Sequence, residues 1–304
     1  MDKPPLNPYI LLMVGVISIS TSAIFVKLAG DAPASMIAFY RLLLAIIIMA
    51  PYVFLKHSDD LFSISKKDGT LAAVSGVFLA FHFILWFESL NYTSVASSVV
   101  LVSMQPIFAF IGTYLFFKER FSAGAVLSML IAITGSVIIS WGDFQISGLA
   151  FLGDILALLG AIMVTGYFLV GQNLRKRLSL TSYTFVVYSA ATLTLLIYNL
   201  GLNVSFGGYN SSQWLIFLCL AIIPTFLGHS LFNWSLRWMS ASKISMSILL
   251  EPIGASILAF FLLNEAVSWS QWLGGSIVIF GLMLFIISTK KMMKPKIIHR
   301  SRKL

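Results

Sequence analysis

Long apolar runs separated by short polar breaks make up almost the whole chain. Ten such runs stand at about 8–28, 34–55, 69–89, 93–117, 121–141, 148–173, 181–200, 211–236, 242–263 and 268–288. Each is close to the roughly 20 residues that carry a helix across a bilayer. The breaks are brief, with "GDAP", "NYT", "KERF", "WGDFQ" and "RKR" among them. In lipid the backbone satisfies its polar groups only within helices or closed barrels. Runs this continuous lack the alternation of a barrel strand. The pattern predicts an all-α polytopic membrane protein with ten transmembrane helices.

Composition supports this reading. The 304 residues are 59% hydrophobic and only 10% charged, against roughly 25% charged in a soluble domain. Such a chain cannot cover itself with a water-facing surface. The first apolar run, from Tyr9 to Leu28, is longer than a signal-peptide core and reads as a retained anchor. The single cysteine, Cys219, excludes a disulfide within the chain.

Charge placement predicts orientation. With the N-terminus in the cytoplasm, 18 of the 20 Lys and Arg residues lie inside. They are Lys3, Lys56, Lys66, Lys67, Lys118, Arg120, Arg175, Lys176, Arg177, Arg237, Lys243 and seven residues of the tail. The exceptions, Lys27 and Arg41, fall within the first two runs. The expectation is an inner (cell) membrane protein with both termini cytoplasmic. Trp86, Trp141, Trp214, Trp238, Trp269 and Trp272 fall near the expected interfaces, where indole rings are favoured. The net charge of +9 is concentrated at one membrane face and in the tail "KKMMKPKIIHRSRKL". That tail reads as a solvated, membrane-hugging end, with no nucleic-acid partner.

The chain repeats itself at an offset of 146 residues. "MQPIFAFIGTYLFFKERFS" (104–122) lies over "LEPIGASILAFFLLNEAVS" (250–268). Pro106 falls on Pro252, Glu119 on Glu265, Ser122 on Ser268 and Gly135 on Gly281. The expected domains are a first five-helix repeat (1–145), a second (146–290) and a basic cytoplasmic tail (291–304). Five spans is an odd number, so the second repeat enters the membrane from the opposite side. Inverted repeats of this kind are a device of secondary transporters, which bind solute near the midplane between the halves.

Ten runs in two halves, "FYRL" (39–42) in the second run, and a proline-containing fourth and ninth run each ending in Glu resemble the EamA group of the drug/metabolite transporter superfamily. The similarity covers about Tyr9 to Ser288, and the combination of features carries it. The resemblance implies a ten-helix carrier with a central cavity between the halves. It implies a small-molecule solute such as an amino acid, a related metabolite or a toxic compound. It does not specify which.

Ionisable groups inside a span are costly and usually face a cavity or a partner. Here they are Lys27, Arg41, His82, Glu88, His229 and Glu251, with Asp154 near a span end. Glu88 reads as solvated at the outer interface, and Lys27 as snorkelling outward. Arg41 has two readings of equal weight, an anion partner in the cavity or a structural partner of an acid or of helix-end carbonyls. Pro106 and Pro252 each remove a backbone donor, and Gln105 and Glu251 directly precede them. A broken helix beside a polar side chain, at one depth in both repeats, is the expected binding element. The carboxylate of Glu251 then either binds a cationic group of the solute or carries a coupling proton.

His82 and His229 are one residue from repeat equivalence. Ser75, Leu79, His82, Trp86 and Ser89 share a helical stripe, as do Thr225, His229 and Phe232. Counted along their spans, His82 falls towards the outside and His229 towards the inside, at two ends of an hourglass cavity. Proton relay and two buried, hydrogen-bonded histidines are both compatible with this placement. Phe25, Tyr40, Trp86 and Tyr167 are candidate aromatic walls. The sequence has no H-E-x-x-H ligand pair and no Gly-rich nucleotide loop, so neither a metal nor an organic cofactor is expected, and the chain does not read as an enzyme. The alternatives to an amino-acid exporter are a drug or toxic-compound exporter, a membrane scaffold and a lipid scramblase.

Overall fold

The structure, a computed structural model, describes residues 4–139, 141, 148–263 and 268–292. Among these the chain is all-helical. Nine helices are long and apolar enough to span a membrane. They are α1 (Pro8–Leu28), α2 (Ala34–Lys56), α3 (Lys66–Ser89), α4 (Val95–Phe117), α6 (Gly148–Leu174), α7 (Leu180–Gly201), α8 (Ser211–Ser235), α9 (Ala241–Leu262) and α10 (Trp269–Thr289). The remaining apolar run is a shorter helix, α5 (Ala123–Ile139). A five-residue helix, Ser58–Phe62, links α2 to α3. Glu265 and the tail beyond Met292 lie outside the described residues.

Local signals set the helix starts. Asn7 accepts the amide of Tyr9 at the start of α1, with Pro8 in the first turn, where a missing N–H costs nothing. Ser65, Ser94 and Ser179 cap α3, α4 and α7. Asn210 and Gln213 form a reciprocal capping box on α8. At α9 the cap is tertiary. Lys118 ends α4 in a left-handed turn, φ 57°, which delivers the Glu119 carboxylate to the hydroxyls of Ser240 and Ser242 at 3.0 and 3.3 Å. The Gln172 carbonyl takes the Ala241 amide at 2.6 Å. Anionic and acceptor groups at a helix N-terminus offset its unpaired amides.

The major helix pairings map onto one another when the halves are exchanged. α3 packs on α6 as α8 packs on α1, and α3 on α7 as α8 on α2. α4 meets α6 as α9 meets α1, while α2–α7, α4–α9 and α5–α10 pair across the exchange. The α5–α10 seam is a close one. A Cβ on Gly135 would meet the Gly274 carbonyl and the Val278 amide at 2.7 Å, and one on Gly281 would meet the Ala132 amide at 2.7 Å. Gly135 and Gly281 are repeat equivalents, so both halves use the same position to bring backbones together. Small residues of this kind let membrane helices approach where lipid gives little apolar drive.

Contacts between helix ends agree with alternating spans. Lys27 donates to the Leu90 carbonyl at 2.5 Å, Thr93 to Asp154 at 2.9 Å and Ser35 to Asn199 at 2.6 Å, each joining ends on one side. On the opposite side Arg177 forms a two-armed pair with Asp68, at 2.7 and 2.9 Å. That pair holds the Arg177 guanidinium above its ordinary value.

Candidate functional site

A small pocket, about 20 Å³, lies where six helices converge. That is room for about one water molecule. Its lining is Ile19 and Ser22 of α1, His82 and Trp86 of α3, Val102 and Gln105 of α4, Val164 and Phe168 of α6, His229 and Phe232 of α8, and Ile248 and Glu251 of α9. These twelve residues form six pairs, each within one residue of the 146-residue offset: Ile19 with Val164, Ser22 with Phe168, His82 with His229, Trp86 with Phe232, Val102 with Ile248 and Gln105 with Glu251. Each half contributes the same positions, so the pocket sits where the halves meet.

The broken helices shape it. α4 stops at Val102 and restarts at Gln105, and α9 stops at Ile248 and restarts at Glu251. Pro106 and Pro252 hold the second position of the restarted segments. Proline offers no amide to the carbonyl four residues earlier. Those carbonyls belong to Val102 and Ile248, both in the pocket wall. Gln105 and Glu251 are the first residues of their restarted segments, where helix amides favour an acceptor or an acid.

Arg41 is held beside the pocket by a further proline. Pro224 cannot bond the Leu220 carbonyl, and Ala221–Ser230 of α8 widens into a π-helical stretch. The Thr225 hydroxyl donates to that carbonyl at 2.8 Å and accepts from Arg41 Nε at 2.7 Å. Arg41 Nη1 donates to Ser22 Oγ at 3.1 Å, and the guanidinium lies 4.2 Å from the Phe83 ring centre. Arg41 is fully buried. It forms no ion pair with any described residue.

The histidines correct the hourglass placement. Their ring centres are 6.2 Å apart in one pocket, not at opposite ends. Residue counts give depth only for a straight helix normal to the membrane, and packing sets the true height of each ring. His82 Nδ1 lies 3.0 Å from the Gly160 carbonyl and can only donate there. In a neutral ring this leaves Nε2 as an acceptor. Trp86 is likewise no interfacial anchor. It is 3% exposed and stacks on His82 at 5.6 Å, whereas Trp141, Trp269 and Trp272 are exposed.

Four buried polar atoms here have no hydrogen-bond partner among the described residues: Arg41 Nη2, Trp86 Nε1, Gln105 Oε1 and His229 Nδ1. The Glu251 carboxylate, on a side chain 4% exposed, also makes no hydrogen bond among them. Each buried unpaired group costs about 1–3 kcal/mol. Their convergence on one pocket offers donors, acceptors and charges of both signs.

The other sequence candidates lie outside the pocket lining. Tyr167 is fully buried one layer behind it, hydrogen-bonded to Asn233, with its ring 6.1 Å from His229. Phe25 packs on the main apolar cluster. Tyr40 belongs to an aromatic cluster with Tyr209, Trp214 and Phe217, and its hydroxyl donates to the Phe206 carbonyl at 2.5 Å. Sequence reasoning did not single out Ser22, Ile19, Val102, Val164, Phe168 or Ile248. The 146-residue offset, applied outward from the prolines, reaches Val102 and Ile248. Nothing local marks Ser22.

The sequence profile of the EamA-like transporter family matches residues 6–141 and again 151–287. The chain belongs to the EamA-like transporter family. Its two matched segments correspond to the two repeats. The uncharacterized transporter YdfC of Bacillus subtilis is 25% identical over 299 residues, covering 96% of this chain and 94% of the relative. An uncharacterized transporter of Archaeoglobus fulgidus is 21% identical over 273 residues, covering 90% and 94%. The fold matches a crystal structure with a TM-score of 0.76 at 15% identity, over 94% of this chain and 99% of that one. The protein is thus a multi-pass membrane transporter, with a small-molecule solute and the lipid bilayer as its partners.

Proposed function

We propose that this EamA-family transporter is a secondary active carrier that exports a small zwitterionic or amphipathic metabolite of the amino-acid class by alternating access. The convergence of unpartnered polar atoms on the pocket between the halves carries this reading. Arg41 supplies a cation beside the pocket for a solute carboxylate. Glu251 supplies a carboxylate for a solute ammonium group. The two are not paired with each other, so each is available to a ligand carrying both charges. Phe168, Phe232 and Trp86 offer apolar contact for a side chain.

The pocket is closed to about one water, so passage requires the halves to move apart on one side at a time. The proposed moving units are residues 1–145 and 146–290, with 291–304 as a basic cytoplasmic tail. The matching helix pairings and the paired pocket lining support this division. The proposed site is the inner membrane, with both termini cytoplasmic, as the basic residues favour. Protons are the proposed coupling ion, with Glu251 and the histidine pair as the groups placed to bind them.

The test is counterflow in proteoliposomes. Vesicles loaded with an unlabelled amino-acid mixture should accumulate labelled amino acid transiently, and an imposed proton gradient should drive net flux. No counterflow across a broad amino-acid and metabolite panel would remove the solute assignment. Lipid movement without solute flux would point to the scramblase alternative.

A further inference from the structure

A second cavity, about 360 Å³, opens between α1, α9 and α10, away from the pocket between the halves. Its deep wall is Leu12, Met246, Leu282 and Phe285, all buried, and its lip is the exposed Tyr9, Met13 and Ile286. The wall is almost wholly apolar, with three methionines whose flexible thioethers adapt to a mobile partner. One end is different. Lys243, half-buried, lines this groove and also an adjoining cavity of about 120 Å³ lined by Arg120, and the two share Lys243, Phe285 and Thr289. Neither Lys243 nor Arg120 forms an ion pair among the described residues. Glu119 also lines that adjoining cavity, where its carboxylate accepts from the hydroxyls of Ser240 and Ser242, so the two cations outnumber the one acid there.

We infer that this groove binds an anionic phospholipid of the leaflet at the Lys243 face, its phosphate at Lys243 and Arg120 and one acyl chain along α1, α9 and α10. Three observations select this occupant. The apolar wall begins at the start of α1 and α9 and the end of α10, so it rises from the membrane surface into the hydrocarbon. Lys243, at its surface end, is the charged residue of its lining, and Arg120 adds a second cation beside it against the single acid Glu119. The chain's own tail from 293 to 304 carries Lys294, Lys296, Arg300, Arg302 and Lys303 and no acid, so its charge opposes docking beside Lys243. Basic pockets between membrane helices hold anionic headgroups by this chemistry. The inference rests on groove and charge alone and stands independently of the solute assignment.

The experiment is native mass spectrometry of the delipidated full-length protein, titrated separately with dioleoylphosphatidylglycerol, dioleoylphosphatidylcholine and oleate. One phosphatidylglycerol should be retained in preference to phosphatidylcholine, by about fivefold for each basic residue engaged. Lys243→Gln with Arg120→Gln should remove that preference. Leu282→Trp, which fills the groove and leaves the charges intact, should lower retention of the bound phosphatidylglycerol. Equal retention of the two phospholipids by the unmodified protein would overturn the proposal. So would phosphatidylglycerol binding unchanged in both variants, which would assign it to the tail. Oleate retained as tightly as phosphatidylglycerol would replace the phospholipid with a free fatty acid, and a dimer that retains no lipid would replace it with a second copy of the chain. A solute-transport failure in proteoliposomes leaves this outcome untouched.

Discussion

At the scale of single residues, Glu251 and Arg41 concentrate the proposed chemistry. Glu251→Gln keeps the shape and makes the position match Gln105 of the first half. Loss of one charged hydrogen bond to the solute is worth about 1.5–3 kcal/mol, so exchange of solute for solute should fall roughly 10- to 150-fold. Loss of concentrative flux with exchange intact would assign the carboxylate to proton carriage instead. Wild-type transport from a Glu251→Gln protein would leave the residue a structural group at a helix break. Thr225 holds Arg41 without lining the pocket. Thr225→Val should raise the half-saturation concentration more than it lowers the maximal rate, because it frees the guanidinium to wander. Thr225→Ser keeps the hydroxyl and should restore binding, which a purely packing role for the threonine methyl would not allow.

At the scale of elements, prolines and glycines do opposite work. Prolines open α4, α8 and α9 by removing the amide that would bond the carbonyls of Val102, Leu220 and Ile248. Glycines close the α5–α10 seam. Gly135→Leu places a side chain where backbone atoms of α10 already stand within 2.7 Å of a Cβ. Overpacking typically costs about 1–3 kcal/mol, and a rigid backbone neighbour puts this site at the upper end. The thermal midpoint in detergent should drop by several degrees, roughly 2–4 °C per kcal/mol for a chain of this order. Gly207→Ala, with nothing within 4 Å of its Cβ, should leave the midpoint unchanged. Equal midpoints for Gly135→Leu and the unmodified protein would show that the seam is not tightly packed in the membrane.

At the scale of the whole molecule, the proposed five spans per half would reverse the second half, and the exchange of helix pairings between the halves supports that arrangement. Reporter fusions at Ile64 and at the C-terminus should score cytoplasmic, and one at Gly208 should score outside. A Gly208 reporter in the cytoplasm would end the inverted arrangement. Hydrophobic length, basic-residue bias and the 146-residue offset are local or one-dimensional properties, so the sequence alone determined the helical class, the approximate extent of the nine long helices and the repeat. The proline–acid pair at 251–252 was visible for the same reason, since a helix breaker inside an apolar run has no local justification. Tertiary packing alone decided which polar residues meet. It brought His82 to 6.2 Å from His229, withdrew Trp86 from the interface, placed Tyr40 under the 202–210 loop and gave Arg41 the hydroxyls of Ser22 and Thr225. Helix tilt, the π-helical widening after Pro224 and the closeness of glycine seams arise from contacts between segments far apart in the chain, and no count along one segment contains them.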